Sequence, residues 1–377
     1  MRSLIIAFVF HFTLNILIFL KGWDAFKGRK IWQIALSVIF GLELLIYSIG
    51  FALFKFLPED IVHSIRIMGT SWMFFLLYVG GFYLVIDLFY LIWKRQLLKP
   101  AKLALQRQLI KRSVFLTSAL LVIGIMAYGS FQFKNPVVQQ VEMHVKKPAG
   151  DFDSLRIAVA GDMHLGYMIN RDYARKYVDL IMAQQPDLIL FVGDIVDSHI
   201  APLVNGKMDE ELKRLDAPLG IYSCIGNHEH RFEGEEKIRW LSDAGITMLR
   251  DSAVFIDSAF YVVGRDDEII ESRLELSHLF AQQKIDLSKP VIVLNHSPSN
   301  LAEEANAGTD IALYGHTHHG QSFPGNIATE MVFEVAHGYK KKQNTHVYVT
   351  SGIGLVGPQY RVGTVSEIVV LNVKFRR

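Results

Sequence analysis

Ile311-Ala-Leu-Tyr-Gly-His-Thr-His-His-Gly320 is the stretch on which the reading of this chain turns. The apolar run Ile311 to Tyr314 predicts a buried strand. Gly315 ends it, and His316 and His318 follow two positions apart. In extended backbone, residues i and i+2 point the same way, so both imidazoles reach one point beyond the strand end. Glycines on either side let the chain turn sharply and approach closely. Taken alone, such a loop is just as readily a histidine-rich surface turn. The remainder of the chain decides between the two.

Moving outward, the same layout recurs. Leu155–Ala160 reads as a strand and ends in Gly161-Asp162-Met163-His164. Asp187–Val192 runs into Gly193-Asp194-Ile195-Val196-Asp197. Gly220–Ile225 ends in Gly226-Asn227-His228-Glu229, and Pro290–Leu294 in Asn295-His296-Ser297-Pro298. Helices are predicted at 171–185, 235–244 and 271–284. Short strands are predicted at 253–256 and 259–263, and tail strands at 331–335, 346–350 and 365–374. Every metal-capable residue thus falls at the carboxyl end of a strand, where open α/β sheets place their sites. Chance supplies one such loop. Five in succession, carrying Asp162, His164, Asp194, Asn227, His296, His316 and His318, argue for one shared centre.

The order D-x-H, GD-x-x-D, GNH-E, H, GH-x-H over residues 155–320 resembles the calcineurin-like metallophosphoesterase superfamily, in its membrane-anchored bacterial branch. The resemblance implies an α/β fold, a four-layer α-β-β-α sandwich, with two divalent metal ions. Asp162, His164 and His318 would hold one; Asn227, His296 and His316 the other; Asp194 would bridge them. Imidazole, amide and carboxylate donors without thiolate suit manganese, iron or zinc. A metal pair clamps a phosphoryl group and activates a shared hydroxide for in-line attack. His228 is implied as the group that steadies the transition state and protonates the leaving oxygen. Glu229 is expected to orient that imidazole and Asp197 to brace a ligand histidine, against local capping or surface roles for both. His230 and His319 read as non-ligands at the pocket rim. His337 and His346 have no motif support.

The 377 residues allow two or three domains, and the mean hydropathy of +0.25 is unevenly spread. Four apolar segments, about 3–20, 31–54, 69–93 and 114–130, reach the roughly 20 residues a bilayer span needs. The expected organisation is a transmembrane region over 1–130, a linker with an edge strand over 131–154, and a catalytic domain over 155–377. The first segment lacks a small-residue cleavage site and reads as a retained helix. Residues 1–130 hold 14 Lys and Arg against 5 Asp and Glu, a formal +9; residues 131–377 hold 25 against 32, a formal −7. An acidic globular half argues against nucleic acid, whose phosphates need a basic footprint. The single Cys224 excludes an intrachain disulfide.

Four basic residues lie in 21–30 (Lys21, Lys27, Arg29, Lys30) and seven in 94–113 (Lys94, Arg95, Lys99, Lys102, Arg107, Lys111, Arg112). In 55–68, Lys55 and Arg66 are offset by Glu59 and Asp60. Basic loops stay cytoplasmic, which places the globular half on the extracytoplasmic side of the cell membrane. His11, Glu43 and Asp87 fall at membrane depth. For His11 and Glu43 the reading carried forward is a structural pair between helices, against a functional role for intramembrane charge.

The expected function is therefore a membrane-anchored phosphoesterase meeting membrane lipids, with a lipid or lipid-linked phosphate ester as substrate. Three readings compete. A pyrophosphatase of a UDP-linked acylated sugar conflicts with the topology, since that substrate is cytoplasmic. A binding or sensor domain calls for a lost ligand, and none is lost. A nuclease is opposed by the acidic charge. Lys340-Lys341-Lys342 reads as a pocket wall or membrane-facing rim, against a solvated loop.

Overall fold

A computed structural model describes residues 2–53, 56–97, 103–197 and 199–376. The chain forms two compact units, a helical one up to Ser130 that also takes in Gly357–Gln359, and an α/β one of Phe131–Val356 and the chain from Tyr360.

The helical unit contains α1 (Arg2–Ala25), α2 (Lys30–Leu53), α3 (Glu59–Leu97) and α4 (Leu103–Lys134). Among the described residues three stretches are long and apolar enough to cross a membrane: Lys30–Ile49, Ile61–Ile92 and Gln106–Lys134. Two boundaries differ from the sequence reading. The basic stretch 94–113 is helical up to Leu97 and again from Leu103, and the chain is helical to Lys134 where a linker was expected. Lys, Arg, Gln and Leu are strong helix formers. A helix continued past the apolar core also satisfies its own backbone where partners are few. Phe54, Lys55, Lys99 and Lys102 lie outside the described residues.

Ile18, Phe40, Leu76, Val79, Phe115 and Val122 pack inside this unit. A polar knot is buried among its helices. Glu43 Oε2 lies 3.2 Å from His11 Nε2 and accepts from Asn15 Nδ2 at 3.2 Å, while Trp72 Nε1 donates to Asn15 Oδ1 at 3.1 Å. Asp87 is not part of it; its carboxylate accepts from Lys21 Nζ at 2.7 Å. Polar groups that satisfy one another across helices hold a bundle together.

The α/β unit contains β1 (Val137–Val145), β2 (Ser154–Ala160), β3 (Leu188–Phe191), β4 (Ile221–Ser223), β5 (Thr247–Met248), β6 (Ser252–Ile256), β7 (Phe260–Gly264), β8 (Val291–Leu294), β9 (Ile311–Tyr314), β10 (Gly338–Lys342), β11 (Thr345–Val349) and β12 (Glu367–Phe375). They form two six-stranded sheets, in order β1-β12-β2-β3-β4-β5 and β10-β11-β9-β8-β7-β6. Strands β2, β3 and β4 run parallel in the first sheet, and β7, β8 and β9 in the second. Period two sorts each strand between its two faces. Ile157, Val159, Leu190, Ile292, Leu294, Ile311, Leu313 and Leu371 meet between the sheets. On the outer face of the second sheet, Val291 and Val293 pack on Leu276, Leu279 and Phe280, and Ala312 and Tyr314 pack on Leu301. Helix α5 (Arg171–Met182) buries Ala174, Tyr177, Val178 and Ile181. The layers are helix, sheet, sheet, helix.

Two local expectations fail. Residues 331–335 are not a strand: a helix covers Gly325–Val332, and the edge strand is β10. Ile327 and Met331 keep helical spacing, and the Thr317 hydroxyl takes the Ala336 carbonyl at 2.6 Å, so the following chain braces the histidine loop. The helix expected over 271–284 is confined to Leu276–Gln282. Upstream, Leu274 is tied by its carbonyl to Arg265 and by its N–H to Asp251, which holds that backbone off the helical ladder.

Candidate metal centre

The carboxyl ends of β2, β3 and β4 meet those of β8 and β9, and this positions the site. The loops interlock through backbone before any ligand is considered. Asp162 N–H donates to the Gly193 carbonyl at 3.1 Å and His164 N–H to the Asp194 carbonyl at 3.0 Å. His316 N–H, from the other sheet, donates to the Asp162 carboxylate at 3.1 Å. Only glycine serves at two of these crossings. Gly193 has φ of +82°, and a Cβ there would sit 2.8 Å from Gly226 N; a Cβ on Gly226 would sit 2.3 Å from Asp194 Oδ1.

All seven expected ligands converge. His164 Nε2 lies 3.0 Å from His318 Nε2, and Asp162 Oδ1 lies 3.5 Å from His318 Nε2. His316 Nδ1 lies 3.1 Å from Asn227 Oδ1 and 3.2 Å from His296 Nε2. Asp194 Oδ2 stands between the halves, 3.1 Å from His296 Nε2 and 3.8 Å from His164 Nε2. Asp162, His164, Asp194 and His296 are buried. Three overlapping sets of metal-capable side chains lie here: Asp162, His164 and His318; His164, Asp194 and His228; and Asp162, Asp194 and His296.

The fit to a cation pair rests on three observations. Facing imidazole nitrogens at 3.0 Å share at most one proton, so their lone pairs converge on a place for a cation. His296 Nδ1–H donates to the Val192 carbonyl at 2.7 Å, which aims Nε2 inward as a ligand histidine requires. Asp162, His164, Asp194, His316 and His318 all have φ between +47° and +68°. Left-handed backbone costs a non-glycine residue on the order of 1 kcal/mol or more and clusters at functional sites.

Burial tunes the donors. It lowers His164 to about 4 and holds His316 and His318 below the ordinary imidazole value, so these three are neutral and ready to ligate. Burial pushes Asp162 up to about 7. Burial opposes charge on Asp194 and His296 as well, but their mutual attraction outweighs it: Asp194 is held far below the carboxylate range and His296 rises to about 10.

Of the surrounding carboxylates, Asp197 takes the place beside His228 that was expected of Glu229. Glu229, fully buried, does not touch His228 among the contacts of its carboxylate. It accepts from the backbone N–H of Asp194 at 2.7 Å, Val196 at 3.1 Å and Gly226 at 2.8 Å, lashing two ligand loops together. Asp197 is the partner of His228, with Oδ1 2.8 Å from Nδ1, and is 3.9 Å from His164 Nδ1. Donor atoms of His228 lie as near His164 and Asp194 as ligands do, yet both of its ring nitrogens are engaged, Nε2 by Arg231 Nη1 at 2.8 Å.

The other histidines stand apart. His230 Nε2 is 2.5 Å from Asp266 Oδ1, and His319 Nε2 is 3.1 Å from Glu330. His337 is 3.0 Å from Glu367, and His346 touches Tyr339 and the His144 carbonyl. Lys340 and Lys342 pair with Glu334.

Two arginines escaped the sequence reading. Arg231 is one. Arg361 is the other, fully buried, donating to the carbonyls of His318 (2.8 Å), Ser351 (2.7 Å), Gly352 (3.1 Å) and Gly354 (2.7 Å). Gly354 N–H in turn donates to the Asp162 carbonyl. Arg361 thereby couples the Asp162 and His318 loops.

The calcineurin-like phosphoesterase profile matches residues 155–320. An uncharacterised metallophosphoesterase of Aquifex aeolicus is 30% identical over 234 residues, covering 61% of this chain and 88% of its own. The chain belongs to the calcineurin-like metallophosphoesterases. Another uncharacterised member, from Campylobacter jejuni, is 30% identical over 71% of this chain and 72% of its own. A transmembrane protein with a metallophosphoesterase domain from Bos taurus is 30% identical over 72% of this chain and 63% of its own. This metallophosphoesterase is a phosphoester hydrolase with clustered metal-capable residues and apolar helices ahead of its catalytic fold.

Proposed function

We propose that this metallophosphoesterase is anchored in the membrane and hydrolyses a lipid or lipid-linked phosphate ester with two divalent ions. Asp162, His164 and His318 would hold one ion and Asn227, His296 and His316 the other, with Asp194 shared between the two sets. The observation that carries the reading is the place of Asp194, within 4 Å of imidazoles from both halves. When bound, the ions supply charge for the phosphoryl oxygens and a nucleophile at neutral pH. The residues do the rest. Glu229 fixes the amides behind Asp194, and Asp197 orients His228, which acts as general acid at the leaving oxygen. The lipid preference is supported by the apolar helices, which keep any substrate encounter near a bilayer.

The full-length protein in detergent should lose hydrolysis on chelation and regain it with manganese, iron, zinc or magnesium. A generic phosphodiester, a phosphomonoester and membrane lipid phosphates form the panel. Because Asp162 and His296 carry protons up to about 7 and 10 in the metal-free protein, the ions displace protons. Re-addition in weak buffer should therefore release acid, and metal affinity should climb from pH 6 to pH 8. Hydrolysis absent with every metal and ester would sink the proposal.

We also place the catalytic unit on the extracytoplasmic side, on the strength of the eleven basic residues in 21–30 and 94–113. A carboxyl-terminal reporter active only in the cytoplasm would overturn this placement.

A further inference from the structure

Arg231 is three residues beyond His228 on an exposed loop at the mouth of the centre. Its Nη1 donates to His228 Nε2 at 2.8 Å. A guanidinium only donates, so Nε2 accepts, and the ring proton sits on Nδ1, facing Asp197. This creates a conflict with the role of His228. The nitrogen that must face the leaving oxygen is covered by a cation, and His228 does nothing at Nε2 until Arg231 moves.

Where Arg231 moves follows from its charge. Arg171, Arg175, Arg214, Arg250 and Arg265 of this acidic unit each pair with a carboxylate. Arg231, like Arg239 and Arg273, has no carboxylate pair among the described residues, but its one side-chain bond there is to the neutral ring of His228. Its remaining N–H groups form a planar fork suited to phosphate oxygens. The ring it rests on is 4.6 Å, centroid to centroid, from that of His164. An uncompensated guanidinium one imidazole away from the ligands is placed for an anion held at the centre.

We infer that Arg231 is a phosphate-gripping catalytic residue: on substrate binding it leaves His228 Nε2 for a non-bridging phosphoryl oxygen, and the uncovered Nε2, with Nδ1–H still on Asp197, takes a proton from solvent that it then gives to the leaving oxygen. The inference rests on the phosphoesterase reading above. It assigns Arg231 two tasks at once, neutralising the phosphoryl group and keeping His228 covered until substrate arrives.

The test uses full-length, metal-restored protein and two esters with the same phosphoryl part, one with a good aryl leaving group and one with a poor alkyl one. Arg231→Gln should lower kcat/KM on both by a similar factor, on the order of 10- to 100-fold for a charge-assisted hydrogen bond. The loss should persist in a His228→Ala background. Arg231→Lys should recover part of it. Binding of inorganic phosphate to the metal-loaded protein, read by calorimetry and so without turnover, should weaken by a comparable factor. A change under about threefold with unaltered phosphate binding would overturn the inference. So would a loss confined to the alkyl ester that vanishes in the His228→Ala background, because Arg231 would then act only through His228. Wild-type protein inactive with every metal would instead sink the phosphoesterase reading itself.

Discussion

Asp194→Asn should reduce metal-restored hydrolysis to below about one-thousandth of wild type, a loss of about 4 kcal/mol of transition-state stabilisation. The substitution is nearly isosteric, so the fold has little reason to respond. Asp194 Oδ1 accepts from the His228 backbone N–H at 2.8 Å, and an amide oxygen can keep that bond. What the amide cannot supply is the negative charge that Oδ2 offers to both halves of the centre. The same charge holds the His296 proton in the metal-free protein, so Asp194→Asn should also bring His296 back toward an ordinary imidazole. Steady-state rates with each metal, beside a melting curve and a count of bound metal, make the measurement. A variant that melts like wild type, binds less than two ions and does not turn over is the expected result. One that turns over within tenfold of wild type would remove Asp194 from the centre of the mechanism.

Arg361→Met should destabilise the α/β unit by about 3 kcal/mol or more. The methionine fills much of the volume but donates nothing: the Ser351 and Gly354 carbonyls lose their donor, while those of His318 and Gly352 keep only the backbone N–H of Gln321 and Glu367. Each buried acceptor left unsatisfied costs about 1–3 kcal/mol, and relaxation recovers part of the total. The damage should reach the proposed metal centre too, because the His318 carbonyl and the Gly354 link to Asp162 hold the two loops that carry those side chains. A fall in melting temperature with weakened metal binding is expected from thermal unfolding with and without metal. Unchanged stability would mean that these loops are held without Arg361.

How much of this was legible beforehand depends on the range of the interaction. The convergence of the seven candidate side chains was legible because each sits directly after a strand whose apolar run announces itself. Asp162 and His316 are 154 positions apart, yet both are marked by local pattern. The sheets followed from the same runs. Residues acting through tertiary contact were not legible. Arg361 lies in Gly357-Pro-Gln-Tyr-Arg, which looks like any polar turn, and its four partners are carbonyls, which carry no side-chain signature. The appearance of Asp197 in place of Glu229 beside His228 has a similar cause. Sequence adjacency favoured Glu229 as the partner of His228, but the turn after Gly226 folds its carboxylate back onto backbone amides. The histidine at 228 then meets an acid 31 positions away. Element ends failed where one bond decided them, as the Arg265–Leu274 bond does ahead of the helix at Leu276.

The left-handed backbone at five of the seven proposed ligands bears on how this protein can be altered. Glycine at those positions would relax the conformation, so a screen that rewards heat resistance alone favours removing the very side chains that perform the chemistry. Robustness and activity pull in opposite directions over a few residues on each loop. Improvement of this protein has to be scored on turnover as well as survival, and gains in endurance are better sought in the core between the sheets.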